Sequence, residues 1–294
     1  MNMVFKGTGV AIVTPFDKHK QVDYPAIERL LNHIIKGGVE FVVAMGTTSE
    51  AVTLDESEKM EVLLHIIQVV NGQLPIVLGI GGNNTKHVID SIQSIDLNQI
   101  SGILSVAPYY NKPNQLGLYE HFSAIAKSCP RPIILYNVPG RTSSNMSAQT
   151  TLKLANEFEN IVAVKEASGD FNQIMKIIQN RPAHFNVLSG DDALTLPMIS
   201  VGAEGVISVV ANAFPKEFSD MVRLALKGNF IDAGKLHYAL LDIIEQLFAD
   251  GNPAGIKKAL SVLNILDENL RLPLVNVNEE VSEKLNTFIH QFID

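Results

Sequence analysis

The run Ile161-Val162-Ala163-Val164-Lys165-Glu166-Ala167 contains a lysine in a segment that is otherwise apolar and β-branched, as a buried strand is. An ammonium group is costly to bury, so the fold must either pair it or use it. Because desolvation favours the neutral amine, Lys165 is a candidate nucleophile that could form a Schiff base with a carbonyl compound. The alternative is a lysine at a strand end whose ammonium group reaches solvent or pairs with Glu166.

The same kind of apolar run recurs along the chain, and an amphipathic stretch follows each one. The strand-like runs are residues 9–14, 40–45, 76–80, 102–107, 133–137, 161–166, 186–189 and 205–210. The helix-like stretches are residues 24–36, 55–70, 85–97, 115–128, 148–157, 171–179, 193–200 and 215–227. Strands that are apolar throughout are typical of a sheet covered on both faces. This pattern predicts an α/β fold, a closed (β/α)8 TIM barrel, rather than an open doubly wound sheet.

The alternation of strands and helices stops near residue 228. Residues 230–248, 253–263 and 279–292 have the pattern of three helices with no strand between them. We therefore predict a catalytic barrel over residues 1–228 and a C-terminal helical region over residues 229–294.

The composition narrows the class of protein. The chain has 294 residues and a net charge of −8, which argues against nucleic acid or an anionic membrane as a partner. No apolar run approaches the roughly 20 residues of a membrane helix, and residues 1–6 lack the features of a secretory signal. The single cysteine, Cys129, permits no internal disulfide, and the histidines show no zinc-ligand spacing. We predict a cytoplasmic protein without a metal site.

Polar side chains collect where the predicted strands end, which is where barrels of this type carry their chemistry. The strand ends supply a hydroxyl-rich set with one lysine: Thr14, Thr47, Thr48, Tyr109, Tyr110, Tyr136, Lys165, Gly190, Asp191, Ile207 and Ser208. Because hydroxyl groups can relay protons, this set is a candidate acid–base system around the amine.

Several of these residues have a plain structural alternative. Thr47 and Thr48 could cap the next helix, although their backbone N–H groups would suit a carboxylate in either case. Tyr136 could be an interior aromatic residue. Arg141 could be a solvated loop charge, or its guanidinium group could hold a carboxylate through two hydrogen bonds.

Six motifs in register resemble the dihydrodipicolinate synthase family, within the pyruvate-dependent Schiff-base aldolases. They are Gly46-Thr47-Thr48-Ser49-Glu50, Pro108-Tyr109-Tyr110-Asn111, Tyr136-Asn137-Val138-Pro139-Gly140-Arg141-Thr142, Val164-Lys165-Glu166-Ala167-Ser168-Gly169-Asp170, Ser189-Gly190-Asp191-Asp192 and Gly205-Val206-Ile207-Ser208-Val209. Their order and spacing agree along nearly the whole chain, including Leu270-Arg271-Leu272-Pro273. The arginine after Tyr-Asn-Val-Pro resembles the synthases rather than the N-acetylneuraminate lyases.

The resemblance implies a reaction without metal or organic cofactor. Lys165 forms an imine with pyruvate, and the derived enamine attacks aspartate semialdehyde to give 4-hydroxy-tetrahydrodipicolinate, on the route to diaminopimelate and lysine. Thr47 and Thr48 receive the pyruvate carboxylate, and Tyr136 moves protons.

By the same resemblance, Thr48 links Tyr136 to Tyr110 of a neighbouring subunit. A homodimer at least is therefore expected, and a homotetramer is the predicted assembly. Arg141 holds the carboxylate of the second substrate, and Gly190 and Ile207 shape the pocket.

Three departures from the family pattern leave every catalytic group in place. Ser49 replaces a glycine, which is expected to tighten the backbone, and Gly140 replaces a frequent serine. The segment Asn252-Pro253-Ala254-Gly255 replaces a more typical Asn-Pro-Ile-Pro.

The site at which lysine inhibits many relatives also differs. Histidines of those enzymes correspond to Glu56 and Lys59, and a glutamate corresponds to His87. Lys59 would repel an incoming ammonium group, and His87 offers no anionic partner, although Asn83 and Tyr109 keep part of the site. We predict weak or absent inhibition by lysine.

Two rival functions remain open from the sequence. One is a different pyruvate Schiff-base aldolase, such as an N-acetylneuraminate or 2-keto-3-deoxy sugar acid lyase. The other is a barrel that binds a small acid without turnover, which the fold alone does not exclude.

Overall fold

In the computed structural model, which describes residues 5–293, eight parallel strands form a closed barrel in chain order. The strands are β1 Gly7–Ala11, β2 Phe41–Ala44, β3 Ile76–Gly79, β4 Gly102–Val106, β5 Ile133–Asn137, β6 Ile161–Glu166, β7 Asn186–Ser189 and β8 Gly205–Ser208. Pairing of β8 with β1, with Gly7 opposite Gly205, closes the barrel. The predicted (β/α)8 TIM-barrel fold is confirmed.

Helices connect the strands and cover the outside of the barrel. The helices of the barrel are α1 Tyr24–Lys36, α2 Glu56–Val70, α3 Thr85–Ser94, α4 Gln115–Ser128, α5 Pro139–Thr142, α6 Ala148–Glu157, α7 Phe171–Asn180, α8 Thr195–Ser200 and α9 Pro215–Leu226. The short α5 was not predicted from the sequence, because a single turn of helix has no apolar period to detect.

Several strands end earlier than their apolar runs suggest. Met45 and Ile80 were predicted as strand residues and are buried, but β2 ends at Ala44 and β3 at Gly79. Met45 adopts a φ of 56°, which extended backbone does not allow. The apolar run therefore continues into a buried loop, and hydrophobicity alone does not mark the last residue of the strand.

Apolar side chains cover both faces of the strands. One set fills the barrel interior and includes Val43, Leu188 and Ile207. A larger set lies between the strands and the surrounding helices and includes Val42, Leu135 and Val206. Because neighbours along a strand point to opposite faces, these two layers account for strand sequences that are apolar without alternation.

The C-terminal helices are α10 Phe230–Ala249, α11 Ala254–Val262 and α12 Glu279–Ile293. The predicted boundary between residues 228 and 229 falls between α9 and α10. A Cβ atom at Gly255 would overlap the carbonyl oxygen of Leu247, so the backbones of α10 and α11 approach more closely than a side chain permits. Within residues 5–293, no helix is long and apolar enough to cross a membrane.

Candidate active site

A cavity of about 820 Å³ opens at the carboxyl ends of the strands. Six of the eight site residues predicted from the sequence line it: Thr47, Thr48, Tyr136, Arg141, Lys165 and Gly190. They come from loops or strand ends that are far apart in the sequence, and barrel closure brings them to one mouth.

Lys165 lies at the end of β6 and exposes only 5% of its surface. Burial lowers the pKa of its amine to about 8; the charge of Asp192 opposes this shift, and the Arg141 guanidinium group adds to it. A group with that pKa is about one-tenth neutral at pH 7, compared with well under one-thousandth for an ordinary lysine. The solvent-exposed alternative for Lys165 is therefore wrong, because the barrel withdraws the amine from water.

Glu166 does not pair with Lys165, since adjacent strand residues point to opposite faces. Its carboxylate accepts hydrogen bonds from Asn137 Nδ2 at 3.1 and 3.2 Å and from Gln173 Nε2 at 3.0 Å. Asn137 Oδ1 in turn accepts from the Met146 backbone N–H at 2.9 Å. This buried network fixes the segment after β5 against the outer face of β6.

Tyr136 on β5 lies directly opposite Lys165 on β6 in the strand register. The Lys165 amine is 4.4 Å from the centre of the Tyr136 ring. Burial raises the pKa of the Tyr136 phenol to about 12, although the positive charge of Arg141 opposes the shift. The phenol therefore keeps its proton at neutral pH and can donate it to a group formed at the amine.

The threonine loop, residues 47–50, forms a tight turn after β2. Thr47 is exposed at the mouth, whereas Thr48 is buried. Ser49 Oγ donates a hydrogen bond to the Gly46 carbonyl oxygen at 2.7 Å, so the serine that replaces the family's glycine closes this turn.

Thr48 has a hydrogen-bond partner that no sequence motif indicated. Asn252, between α10 and α11, donates from Nδ2 to Thr48 Oγ1 at 2.9 Å. The threonine hydroxyl accepts this bond and keeps its own proton available for donation. No local pattern reveals a contact across about 200 residues, so only the fold could find it.

Arg141 lies on α5 with its side chain exposed at the cavity. Among residues 5–293 its guanidinium group forms no ion pair, so its donors remain available to a carboxylate in the cavity. A Cβ atom at the neighbouring Gly140 would have no other atom within 4 Å, so a residue with a side chain would also fit at this position.

Gly190 gives the lysine side chain its room. A Cβ atom there would lie 3.1 Å from Lys165 Cγ and Cε and 2.8 Å from the Ala167 side chain. Ile207 packs among the interior residues of the barrel and is not among the residues that line the cavity, whereas Val209 is.

Tyr110 stands apart from the cavity of its own chain. It follows β4, adopts a φ of 72° and exposes 88% of its surface. Tyr109, rather than Tyr110, lines the cavity. Within one chain the Tyr110 side chain is therefore open to solvent and does not contribute to that chain's cavity.

Another buried carboxylate, that of Asp192, was not singled out from the sequence. Asp192 exposes 2% of its surface, and its Oδ2 accepts from the backbone N–H groups of Val209 and Val210 at 3.0 and 2.8 Å. Burial raises the Asp192 pKa to about 6. Its Oδ1 has no hydrogen-bond partner among residues 5–293. Asp192 is therefore ionised at neutral pH and adds a negative charge that acts on Lys165.

The fold and the site together define a class of enzyme. A buried amine of lowered pKa, a buried phenol and two hydroxyl groups at the mouth of a (β/α)8 barrel are the parts of an aldolase-type lyase.

Comparison with known proteins gives the family within this class. The chain belongs to the dihydrodipicolinate synthetase family, whose model matches residues 4–292. A protein of Flavobacterium psychrophilum named 4-hydroxy-tetrahydrodipicolinate synthase is 51% identical over 287 residues, which cover 98% of each chain. A protein of the same name from Parabacteroides distasonis is 48% identical, over 97% of this chain and 96% of the relative.

A solved structure agrees over nearly the whole chain. The crystal structure of dihydrodipicolinate synthase from Aquifex aeolicus superposes with a TM-score of 0.95 at 39% identity and covers 98% of each chain. The similarity therefore includes both the barrel and the C-terminal helices.

Proposed function

We propose that this chain is a 4-hydroxy-tetrahydrodipicolinate synthase, which condenses pyruvate with L-aspartate-4-semialdehyde in the first committed step towards diaminopimelate and lysine. Relatives of this name match the chain over nearly its full length. The observation that carries the proposal is the Lys165 amine, buried at the cavity beside the Tyr136 ring.

The first half of the proposed reaction forms an imine. The neutral Lys165 amine attacks the ketone carbon of pyruvate, and the resulting carbinolamine loses water after Tyr136 supplies a proton to the departing hydroxyl. The backbone N–H and hydroxyl groups of Thr47 and Thr48 receive the pyruvate carboxylate. The Lys165 imine then draws electrons from the methyl carbon, which loses a proton to give an enamine.

The second half joins the two substrates. The enamine carbon attacks the aldehyde carbon of aspartate semialdehyde, and the new alkoxide takes a proton. Arg141 holds the carboxylate of this substrate by two hydrogen bonds. The substrate amine then attacks the imine carbon and displaces Lys165, which closes the ring of 4-hydroxy-tetrahydrodipicolinate. The imine itself is the electron sink, so the proposed chemistry requires no metal or organic cofactor.

We also propose that Tyr110 completes the site of a second subunit. Its 88% exposure within one chain and its absence from the lining of its own cavity support this role. Thr48 would then pass protons between Tyr136 and the partner's phenol, which makes activity depend on at least a homodimer; a homotetramer is the expected assembly. The cytoplasmic location stays a prediction from the sequence.

Trapping of the imine tests the proposal. Reduction with borohydride in the presence of pyruvate is expected to add the mass of reduced pyruvate once per chain of the wild type and to add nothing to Lys165→Ala. A coupled assay then measures turnover with aspartate semialdehyde. A wild-type protein that forms no adduct would be a small-acid binder rather than an aldolase.

Arg141→Ala distinguishes the synthase from other pyruvate aldolases. The variant is expected to form the pyruvate imine nearly as the wild type does, but to lose about 10²-fold or more in kcat/KM for aspartate semialdehyde, because a carboxylate loses its charge-assisted donors. Equal losses for both substrates would assign Arg141 to a different task.

We further propose that free lysine inhibits this enzyme weakly or not at all. At the cavity, the Glu56 carboxylate already binds the Lys59 amine at 2.7 Å. By the family resemblance, His87 lies where many relatives that lysine inhibits carry a glutamate. A steady-state assay with lysine in the low millimolar range is expected to leave the rate unchanged. A clear loss of rate at that concentration would contradict the proposal.

A further inference from the structure

We propose that Lys257 is a positioning residue for pyruvate: through Glu50 it fixes the threonine loop in the conformation that receives the substrate carboxylate. The inference rests on the proposed function and deepens it, because it assigns a task in the first half-reaction to the C-terminal helical region. Lys257 lies on α11, outside the (β/α)8 barrel that carries Lys165.

Glu50 is the conformational pivot of the threonine loop. It adopts φ 55° and ψ 32°, and it separates the turn at residues 47–49 from a second turn at residues 51–53. A side chain other than glycine resists this left-handed conformation, so contacts elsewhere must hold it. The backbone N–H of Glu50 also donates to the Thr47 carbonyl oxygen at 3.2 Å, so movement of Glu50 would be passed to the threonines.

The side chain of Glu50 provides those contacts. Its carboxylate is buried and lies 2.5 Å from Lys257 Nζ, and both side chains are withdrawn completely from solvent. Glu50 Oε2 also accepts from the Arg271 backbone N–H at 3.0 Å. Lys257 Nζ donates in addition to the Asn269 carbonyl oxygen at 2.8 Å. An ammonium group fixed to two oxygens in a dry environment is a rigid anchor.

Two neighbouring contacts tie the same loop to the C-terminal region. Asn252 donates to Thr48 Oγ1, as described above, and the Arg271 guanidinium group donates to the Thr53 carbonyl oxygen at 2.9 Å. Arg271 also binds both carboxylate oxygens of Glu58 at the start of α2. The loop is therefore held on both sides of its pivot by residues that follow α10.

The Arg141 side of the cavity has a separate anchor. The segment that follows α5 is fixed to β5 and β6 through Asn137, Glu166 and the Met146 N–H, with no contribution from α11 among residues 5–293. Loss of the Lys257 anchor should therefore disturb the site for pyruvate and spare the site for aspartate semialdehyde. A residue needed only for folding would lower both activities together.

The test measures the two substrates separately. Lys257→Met is expected to lower kcat/KM for pyruvate by about 10- to 100-fold, because small displacements of a positioning group have effects of that size, while kcat/KM for aspartate semialdehyde changes by less than about threefold. The pyruvate concentration that gives half-maximal borohydride trapping should rise in parallel. Lys284→Met, which removes an exposed pairing with Glu280 on α12, is the matched control and should change neither value.

Each result decides the inference. Unchanged kcat/KM values in Lys257→Met, or equal losses for both substrates, would overturn it. If Lys257→Met does not fold, Glu50→Gln is measured in its place against the same two criteria. Wild-type protein that fails to trap pyruvate would instead refute the proposed function, so the two failures are distinguishable.

Discussion

Two lysines of this molecule are buried in different regions, and burial lowers the pKa of each to about 8. Lys257, at the junction of barrel and C-terminal helices, binds Glu50 and the Asn269 carbonyl oxygen and lies 4.2 Å from the centre of the Phe16 ring. Lys165, at the barrel mouth, has the Tyr136 ring beside it and forms no hydrogen bond or ion pair with residues 5–293.

The difference shows that a lowered pKa does not by itself identify a reactive amine. An amine bound to a buried carboxylate and a carbonyl oxygen, as in Lys257, is held in place and does not face the cavity. An amine of the same pKa that faces a cavity, with no oxygen to bind, is free to react. Because the two amines have the same pKa, it is their contacts that identify Lys257 as a structural residue and Lys165 as the reactive one.

Removal of the reactive Lys165 amine should give the largest difference between the two lysines. Lys165→Met is expected to lower kcat by at least about 10⁴-fold, since removal of a covalent nucleophile has effects of that order or larger. Its midpoint in thermal unfolding should equal or exceed that of the wild type, because a buried amine without a partner is replaced by an apolar chain. If Lys165→Met kept its turnover and unfolded at a lower temperature than the wild type, Lys165 would be the structural lysine of the two.

Removal of Lys257, the paired lysine, should instead have its main effect on stability. Lys257→Met is expected to lower the free energy of unfolding by about 3–5 kcal/mol, the usual effect of leaving one buried charge unpaired. Glu50→Gln in the same background should recover most of this loss, since no unpaired carboxylate remains. Urea unfolding of the single and double variants at one protein concentration measures both terms. If the double variant is as unstable as Lys257→Met, the loss in free energy of unfolding comes from altered packing rather than from an unpaired charge.

Much of the region around Lys165 could be predicted from sequence, because its determinants are local. An apolar strand that contains a lysine, a tyrosine at the end of the preceding strand and a glycine at the end of the next are readable once the strand and helix pattern indicates a barrel. The register that pairs Tyr136 with Lys165 follows from consecutive parallel strands. The family motifs then suggested their roles.

The region around Lys257 could not be predicted in the same way. Lys257 meets Glu50 across about 200 residues of chain. Glu50 belongs to one of the family motifs, but Lys257 does not stand out from the other lysines of the sequence. Asp192 was missed for a related reason, because its burial depends on the loop after β8. Contacts of this kind are made by the closed fold and leave no periodic pattern.

The pH dependence of imine formation should follow Lys165 rather than Lys257. The reaction needs the neutral amine, and a pKa of about 8 means that kcat/KM for pyruvate rises as pH increases towards 8 and levels off above it. Between pH 6 and 8 the expected increase is roughly 50-fold, from the growth of the neutral fraction. Lys257→Met should keep this rising limb at a lower level. If kcat/KM for pyruvate no longer rose with pH in Lys257→Met, the group that titrates would be Lys257 and not Lys165.

The smallest predicted effect is that of the Asp192 charge, which acts on the amine of Lys165. The Asp192 carboxylate stabilises protonated Lys165, so Asp192→Asn should lower the midpoint of the pH profile, by less than about one unit. The asparagine oxygen can still accept from the Val209 and Val210 N–H groups, which preserves the loop after β8. The effect should be confined to pH values above about 6, because Asp192 itself takes up its proton near that pH. Measurement of kcat/KM for pyruvate from pH 5.5 to 9 on both proteins tests this, and a midpoint that stays fixed or moves upward would show that Asp192 does not set the charge of the reactive lysine.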